Sequence, residues 1–222
     1  VDPGLVPLAA ALDPLITMGM PASVTAETGV DALTHALEGW MSQFANAQTD
    51  GYNRTAVRLI LNNLETACNE PANLAARDAM ALGSHYAGLC LSTSAVGYVH
   101  AIAHQLGARY GVPHGRANAM VLPHVLAFNQ PACVKKLGSL ARDLELASPG
   151  ATDSAAAEAL AVRVRELLAN LPLRRSGSMI QRADYARIAS DALTEAHGMY
   201  AVPRYMAEED VYRVLDGVAA VA

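Results

Sequence analysis

Three histidines lie close together in this chain, and imidazole nitrogens can bind a transition metal or transfer a proton. They are His100, His104 and His114. Residues four apart on a helix share a face, with Cβ atoms about 5–6 Å apart, so His100 and His104 are predicted to be neighbours. Gly111 and Pro113 then interrupt the helical pattern. That break would allow His114 to point back toward His100.

A second pair of candidate ligands lies upstream, in the segment GVDALTHALE. Asp31 and His35 are also four residues apart, so a carboxylate and an imidazole would share one helix face. The residues around them are mostly apolar, which predicts a largely buried helix. An ionised carboxylate is costly to bury without a partner. A metal ion would satisfy both side chains at once.

Each pair alone has an ordinary explanation. Chance and hydrogen bonding account for most single His-x-x-x-His patterns, and an Asp–His pair four residues apart is common on helix surfaces. The two pairs together, both in alanine-rich segments, favour a shared metal site. Spacing alone does not decide whether His100 or His104 would be the ligand. Glu38 lies three residues beyond His35 and could either support such a site from outside or form a solvated pair.

The elements that must position these residues are predicted to be helices. Ala, Leu, Met, Arg and Glu dominate the chain after residue 13, and it has only two Phe and one Trp. Small aliphatic side chains must therefore fill the core between closely packed helices. Val6–Leu12 is the one strand candidate, although it contains a proline. Start and stop signals predict helices over about residues 21–42, 49–66, 72–91, 98–110, 114–128, 132–146, 153–171, 182–196 and 208–215.

Composition excludes several classes of protein. Of the 222 residues, 52% are hydrophobic and 17% are charged, which is typical of a globular domain and not of a disordered chain. The formal net charge of −5 provides no general attraction for nucleic acid or an anionic membrane. The apolar runs are too short to span a bilayer. Three cysteines without a CxxC motif favour a reduced, cytoplasmic compartment.

Two segments of the chain resemble the signatures of the iron-containing (group III) alcohol dehydrogenase family. The first is TGVDALTHALEGWMS, and the second is ALGSHYAGLCLSTSAVGYVHAIAHQLGARYGVPHGRANAMVLPHVLAFN. A weaker resemblance extends from Asp2 to about Ala219. It implies the all-α fold of the C-terminal half of that family, a helical bundle of the dehydroquinate-synthase-like type. Here it would follow a short N-terminal strand.

The resemblance also implies roles for individual residues. Four side chains of the family hold one divalent metal, and the matching positions are Asp31, His35, His100 and His114. The position of His104 matches a histidine that does not bind the metal but lies near the nicotinamide and the substrate. Fe²⁺ is the metal that the resemblance implies, and Zn²⁺ or another divalent ion is the alternative.

Family members begin with an α/β dinucleotide-binding domain, which is not recognisable in these 222 residues. Residues 1–13 resemble its trailing segment, and residues 14–222 would form the helical metal-binding domain. The implied activity is hydride transfer between a small alcohol or aldehyde and NAD(P), in a homo-oligomer.

NAD(P) would be bound mainly by the other domain, so we expect the isolated chain to be inactive. A non-catalytic metal-binding fragment and a zinc-dependent relative of glycerol-dehydrogenase type are the alternatives. Neither nucleic acid nor a membrane is an expected partner.

Overall fold

The computed structural model describes residues 3–5 and 7–220, which form an α-helical bundle. Its helices are α1 (Ala22–Met41), α2 (Ala47–Asn69), α3 (Leu74–Ser94), α4 (Tyr98–Tyr110), α5 (His114–Asp143), α6 (Asp153–Asn170), α7 (Tyr185–Met199) and α8 (Glu208–Ala219). Short 3₁₀ helices lie at Pro3–Leu5, Pro14–Thr17 and Arg182–Asp184. No β-strand occurs among the described residues. The all-α fold class predicted from the sequence is confirmed.

The short strand predicted over Val6–Leu12 does not form in the described part of that segment. Residues 7–12 are exposed and have no strand pairing, while Val6 lies outside the described residues. A strand requires a neighbour for its backbone hydrogen bonds, and residues 3–5 and 7–220 offer none. The division of the chain at residue 13 into two domains stays a prediction.

Side-chain caps set the starts of α2 and α3. The side chain of Asn46 accepts hydrogen bonds from the backbone N–H groups of Gln48 and Thr49, and the Thr49 hydroxyl accepts one from the Asn46 N–H. This capping box starts α2 at Ala47, slightly earlier than predicted. The side chain of Asn73 caps α3 by accepting a hydrogen bond from the Ala76 N–H, and that helix starts slightly later than predicted.

Helix α5 is one continuous helix where the sequence predicted two. Pro123 and Pro131 both lie inside it, although proline removes a hydrogen bond and disfavours helix interiors. The segments before and after Pro131 both bury apolar side chains in the same core, and this packing outweighs the local preference for a break. The buried side chains are Leu122, Val125 and Leu126 before it, and Cys133, Leu137 and Leu140 after it.

Helix α1 lies at the centre of the bundle and packs against α2, α3 and α5. Helix α4 packs against α5 and α7, and α6 and α8 also contact α5. The buried residues form one hydrophobic core, built mainly from alanine, leucine and valine. This arrangement brings α1, α4 and the start of α5 together. None of the helices in the described part of the chain has the length and apolarity needed to cross a membrane.

Candidate metal centre

Three helices position the predicted ligands. Helix α1 carries Asp31 and His35 one turn apart, α4 carries His100, and α5 begins at His114. The turn between α4 and α5 depends on Gly111, whose φ of 67° is left-handed and ends α4. Glycine adopts this conformation without the steric cost that a Cβ would add. The chain therefore reverses direction within three residues and returns His114 to the face that carries His100.

The carboxylate of Asp31 lies at the centre of the cluster. Its Oδ1 is 3.1 Å from His114 Nε2, 3.3 Å from His100 Nε2 and 3.8 Å from His35 Nε2. One ligand atom each from Asp31, His100 and His114 can be chosen so that all three lie within 4.8 Å of one another. His35 is outside that group of three. Its ring stacks on the His100 ring, with centroids 4.5 Å apart and planes 7° apart.

The cluster is enclosed on one side and open on the other. The His100 side chain is only 3% exposed, whereas the His114 side chain is 43% exposed. Asp31 and His35 are intermediate. A small molecule could therefore approach past His114, while the side of His100 is closed by protein.

The cluster shifts the pKa values of its own members. Burial raises the pKa of Asp31, but hydrogen bonds from His100 and His114 outweigh burial and hold it well below its usual range. Burial and the charge of His100 lower the pKa of His35 to about 4. Burial opposes protonation of His100 as well, yet its hydrogen bonds to Asp31 and Glu38 raise its pKa to about 9. Asp31 is therefore ionised and His35 is neutral at pH 7.

Two further polar side chains contact the cluster. The Asn118 amide donates a 2.6 Å hydrogen bond to Asp31 Oδ1 and is 0% exposed. The Nδ1–H of His100 donates a 2.6 Å hydrogen bond to Glu38 Oε2. Asn118 was not anticipated from the sequence, although it lies one helical turn after His114 and its spacing could have suggested it. Glu38 contacts the cluster, one of the two roles considered for it.

His104 lies beside the cluster and not within it. Its ring centroid is 5.3 Å from that of His114, and its side chain is 41% exposed. Its Nδ1–H donates a 2.7 Å hydrogen bond to Glu195 Oε1, and the Tyr200 hydroxyl donates to the same oxygen. Glu195 and Tyr200 were missed, because nothing in the local sequence links them to a histidine about ninety residues away.

The donor set fits a divalent transition metal. With bonds of about 2.0–2.2 Å, two ligands of one ion lie at most about 4.4 Å apart, and Asp31 Oδ1 is closer than this to each of the three Nε2 atoms. The group whose ligand atoms all lie within 4.8 Å of one another contains Asp31, His100 and His114. Binding by all four residues would therefore require His35 to move inward. Imidazole and carboxylate ligands without thiolate suit Fe²⁺, Zn²⁺ and other first-row divalent ions.

Comparison with known proteins identifies the family. Residues 25–218 match the model of the Fe-containing alcohol dehydrogenase family, C-terminal. The chain belongs to the iron-containing alcohol dehydrogenase family. This confirms the resemblance noted in the two sequence signatures, and the match includes every residue of the cluster.

The chain is also similar in sequence to individual members of the iron-containing alcohol dehydrogenase family. The chain is 38% identical over 204 residues to 1,3-propanediol dehydrogenase from Citrobacter freundii, covering 91% of this chain and 52% of that protein.

The fold of the chain is also similar to solved structures of alcohol dehydrogenases. The chain superposes on the crystal structure of a 1,3-propanediol oxidoreductase with a TM-score of 0.88 and 36% identity, covering 93% of this chain and 54% of that one. Alcohol dehydrogenase from Oenococcus oeni gives a TM-score of 0.86 at 30% identity, with coverage of 93% and 54%. The chain thus spans about half the length of these relatives.

Proposed function

We propose that this chain is the metal-binding catalytic half of an alcohol dehydrogenase that interconverts a small alcohol and its aldehyde or ketone with NAD(P). The observation that carries the proposal is the grouping of Asp31, His100 and His114, whose ligand atoms can all lie within 4.8 Å of one another. His35 Nε2 lies 3.8 Å from Asp31 Oδ1. Membership of the iron-containing family supports it.

Asp31, His35, His100 and His114 would hold one divalent metal, Fe²⁺ in the first instance and Zn²⁺ or another ion as the alternative. When bound, such an ion supplies a Lewis acid that polarises an alcohol or carbonyl oxygen. Asp31 contributes one negative charge to the ligand set. The low pKa of His35, about 4, keeps its lone pair available at neutral pH. The exposed side of His114 leaves room for the substrate.

His104 is the residue we assign to proton transfer and to contact with the nicotinamide. Because a carboxylate can only accept a hydrogen bond, Glu195 fixes the His104 proton on Nδ1 and leaves Nε2 to face substrate or solvent. A half-exposed imidazole can exchange its proton with water, which a buried ligand cannot do.

When bound, a nicotinamide cofactor would supply the hydride donor or acceptor. We assign its binding mainly to a dinucleotide-binding domain of which residues 1–13 would be the trailing segment, with residues 14–222 as the metal-binding domain. The homo-oligomeric state and the cytoplasmic location expected from the sequence stay predictions.

Metal analysis of variants tests the ligand assignment. The chain loaded with Zn²⁺ should hold one equivalent, and Asp31→Ala or His100→Ala should remove it. His104→Ala should keep it, as should the control His85→Ala, which alters a histidine on α3. If His104→Ala loses the zinc as completely as His100→Ala, the distinction between ligand and proton-transfer residue is wrong.

Turnover tests the assignment of the cofactor. The 222-residue chain, supplied with Fe²⁺ or Zn²⁺, small primary alcohols and NAD(P), should not form NAD(P)H at an ordinary enzyme rate of about 1 s⁻¹ or more. Hydride transfer requires the nicotinamide to be held against the substrate carbon, and that positioning supplies much of the rate. Steady NAD(P)H formation would instead place the dinucleotide site within this chain.

A further inference from the structure

We propose that Glu38 is a positioning residue that holds His100 in the one tautomer able to bind a metal and fixes the start of α4 against α1. This inference rests on the proposed function, because it takes His100 as a metal ligand. Glu38 itself lies behind His100, on the side away from Asp31, and is no ligand in the proposal.

Glu38 is only 4% exposed, and three donors surround its carboxylate. Its Oε2 accepts hydrogen bonds from the Gly97 N–H at 2.8 Å and from His100 Nδ1 at 2.6 Å. Its Oε1 accepts one from the Val99 N–H at 2.7 Å. A buried carboxylate with several charge-assisted hydrogen bonds is held rigidly, since each lost bond would leave a charge unsatisfied.

The contact with Glu38 determines which nitrogen of His100 can bind a metal. A carboxylate offers no proton, so the nitrogen facing it must carry one. His100 is therefore protonated on Nδ1. Its Nε2 lies 3.3 Å from Asp31 Oδ1, so the proton that a metal would displace is the one on Nε2. A neutral imidazole with its proton on Nδ1 has its free lone pair on Nε2, the atom that faces the cluster.

Glu38 also replaces the cap that α4 lacks. The first N–H groups of every helix have no partner within the helix. In α4 the N-cap residue is Gly97, which has no side chain to accept hydrogen bonds from them. The Glu38 carboxylate accepts two of them, and its negative charge at a helix N-terminus is favourable. A Cβ at Gly97 would lie 2.7 Å from Glu38 Oε1. Only a residue without a Cβ therefore leaves room for the Glu38 carboxylate at this position. The carboxylate in turn holds His100 at a fixed place one turn into the helix.

Glutamine at position 38 keeps the shape and removes this function. If the amide oxygen faces Gly97 and His100, the amide nitrogen faces the Val99 N–H, and two donors oppose each other. If the amide is reversed, its nitrogen faces Gly97 and His100, and His100 must accept with Nδ1. Its proton would then lie on Nε2, where it blocks metal binding.

Zinc affinity measured by chelator competition tests the proposal on the full chain. Glu38→Gln should bind Zn²⁺ about 10- to 100-fold more weakly than the unchanged chain, the usual cost of losing such a partner. Gly97→Ala, which would displace the carboxylate without removing it, should weaken binding in the same direction. The control Glu166→Gln changes an exposed glutamate on α6 and should leave affinity unchanged.

A second readout separates positioning from stability. In the zinc-loaded chain, proton NMR should show a protected imidazole N–H from His100 Nδ1, and Glu38→Gln should shift or broaden it. Circular dichroism would show whether each variant is folded. A folded Glu38→Gln variant with unchanged zinc affinity and an unchanged imidazole signal would overturn the proposal. If the unchanged chain binds no zinc, or Asp31→Ala binds as well as it does, the proposed metal centre itself is wrong and this inference falls with it.

Discussion

Gly115 determines how closely the start of α5 approaches α1, and its replacement by alanine should disrupt the cluster without altering any predicted ligand. A Cβ at Gly115 would lie 2.1 Å from the backbone oxygen of Glu27. An ordinary carbon–oxygen contact is no shorter than about 3.3–3.6 Å. Both partners belong to helix backbones, so no side-chain rotation can relieve the overlap. The two helices must move apart by about 1.3 Å.

The size of this movement is large compared with the tolerance of a metal site. Glu27 lies one helical turn before Asp31, and Gly115 directly follows His114. His114 Nε2 is 3.1 Å from Asp31 Oδ1, and two ligands of a tetrahedral ion lie about 3.4 Å apart. A separation of about 1.3 Å along this line would lengthen the distance to about 4.4 Å, which is beyond the tetrahedral value.

Gly115→Ala should therefore bind Zn²⁺ at least about tenfold more weakly, which corresponds to about 1.4 kcal/mol. Overpacking should also lower the free energy of unfolding of the metal-free chain by about 1–3 kcal/mol. Chelator competition and urea unfolding measure the two effects. The matched control is Gly88→Ala on α3, where a Cβ would meet nothing within 4 Å and alanine should stabilise the helix slightly. Wild-type zinc affinity in Gly115→Ala would refute the reasoning.

Two further predictions concern the electrostatics of the cluster. Since the pKa of His100 is raised to about 9 in the metal-free chain, zinc must displace its proton at pH 7. Zinc affinity should therefore rise with pH up to about pH 9. Calorimetry at pH 7 in two buffers of different ionisation enthalpy should detect proton release, and heats that do not depend on the buffer would contradict this. Asn118→Ala removes the 2.6 Å hydrogen bond to Asp31 and should weaken zinc binding about tenfold. The control Asn62→Ala, which changes an exposed asparagine on α2, should leave zinc affinity unchanged. Equal zinc affinities of the two variants would show that Asn118 does not orient Asp31.

Residue spacing along the sequence predicted the features that depend on a single helix, such as the bounds of α4 and the residues that share one helix face. Helix α4 spans Tyr98–Tyr110 as the sequence indicated, because Gly97 and Gly111 bracket a strongly helical segment. The i,i+4 pairs on α1 and α4 were predicted for the same reason. Start and stop signals predict two helices over residues 114–128 and 132–146, whereas the burial that keeps α5 continuous is set by the rest of the bundle.

Partners that are distant in the sequence could not be predicted. Glu38 and His100 are 62 residues apart, and His104 and Glu195 are 91 apart. Whether such groups meet depends on how the helices pack, and no periodicity within one helix contains that information. Spacing also left open which of His100 and His104 would be the ligand. The structure separates the two histidines by their partners, since His100 faces Glu38 and Asp31 while His104 faces Glu195.

Two glycines explain how helices from different parts of the chain converge on one carboxylate. Gly97 admits the Glu38 side chain to the start of α4, and Gly115 admits the backbone of α1 at the start of α5. Each lies within three residues of a predicted ligand, His100 or His114, at the N-terminal end of its helix. Side chains supply the donor atoms, but the distances between them are set by how closely the helix ends approach α1. The two glycines therefore contribute to the geometry of this centre together with the histidines.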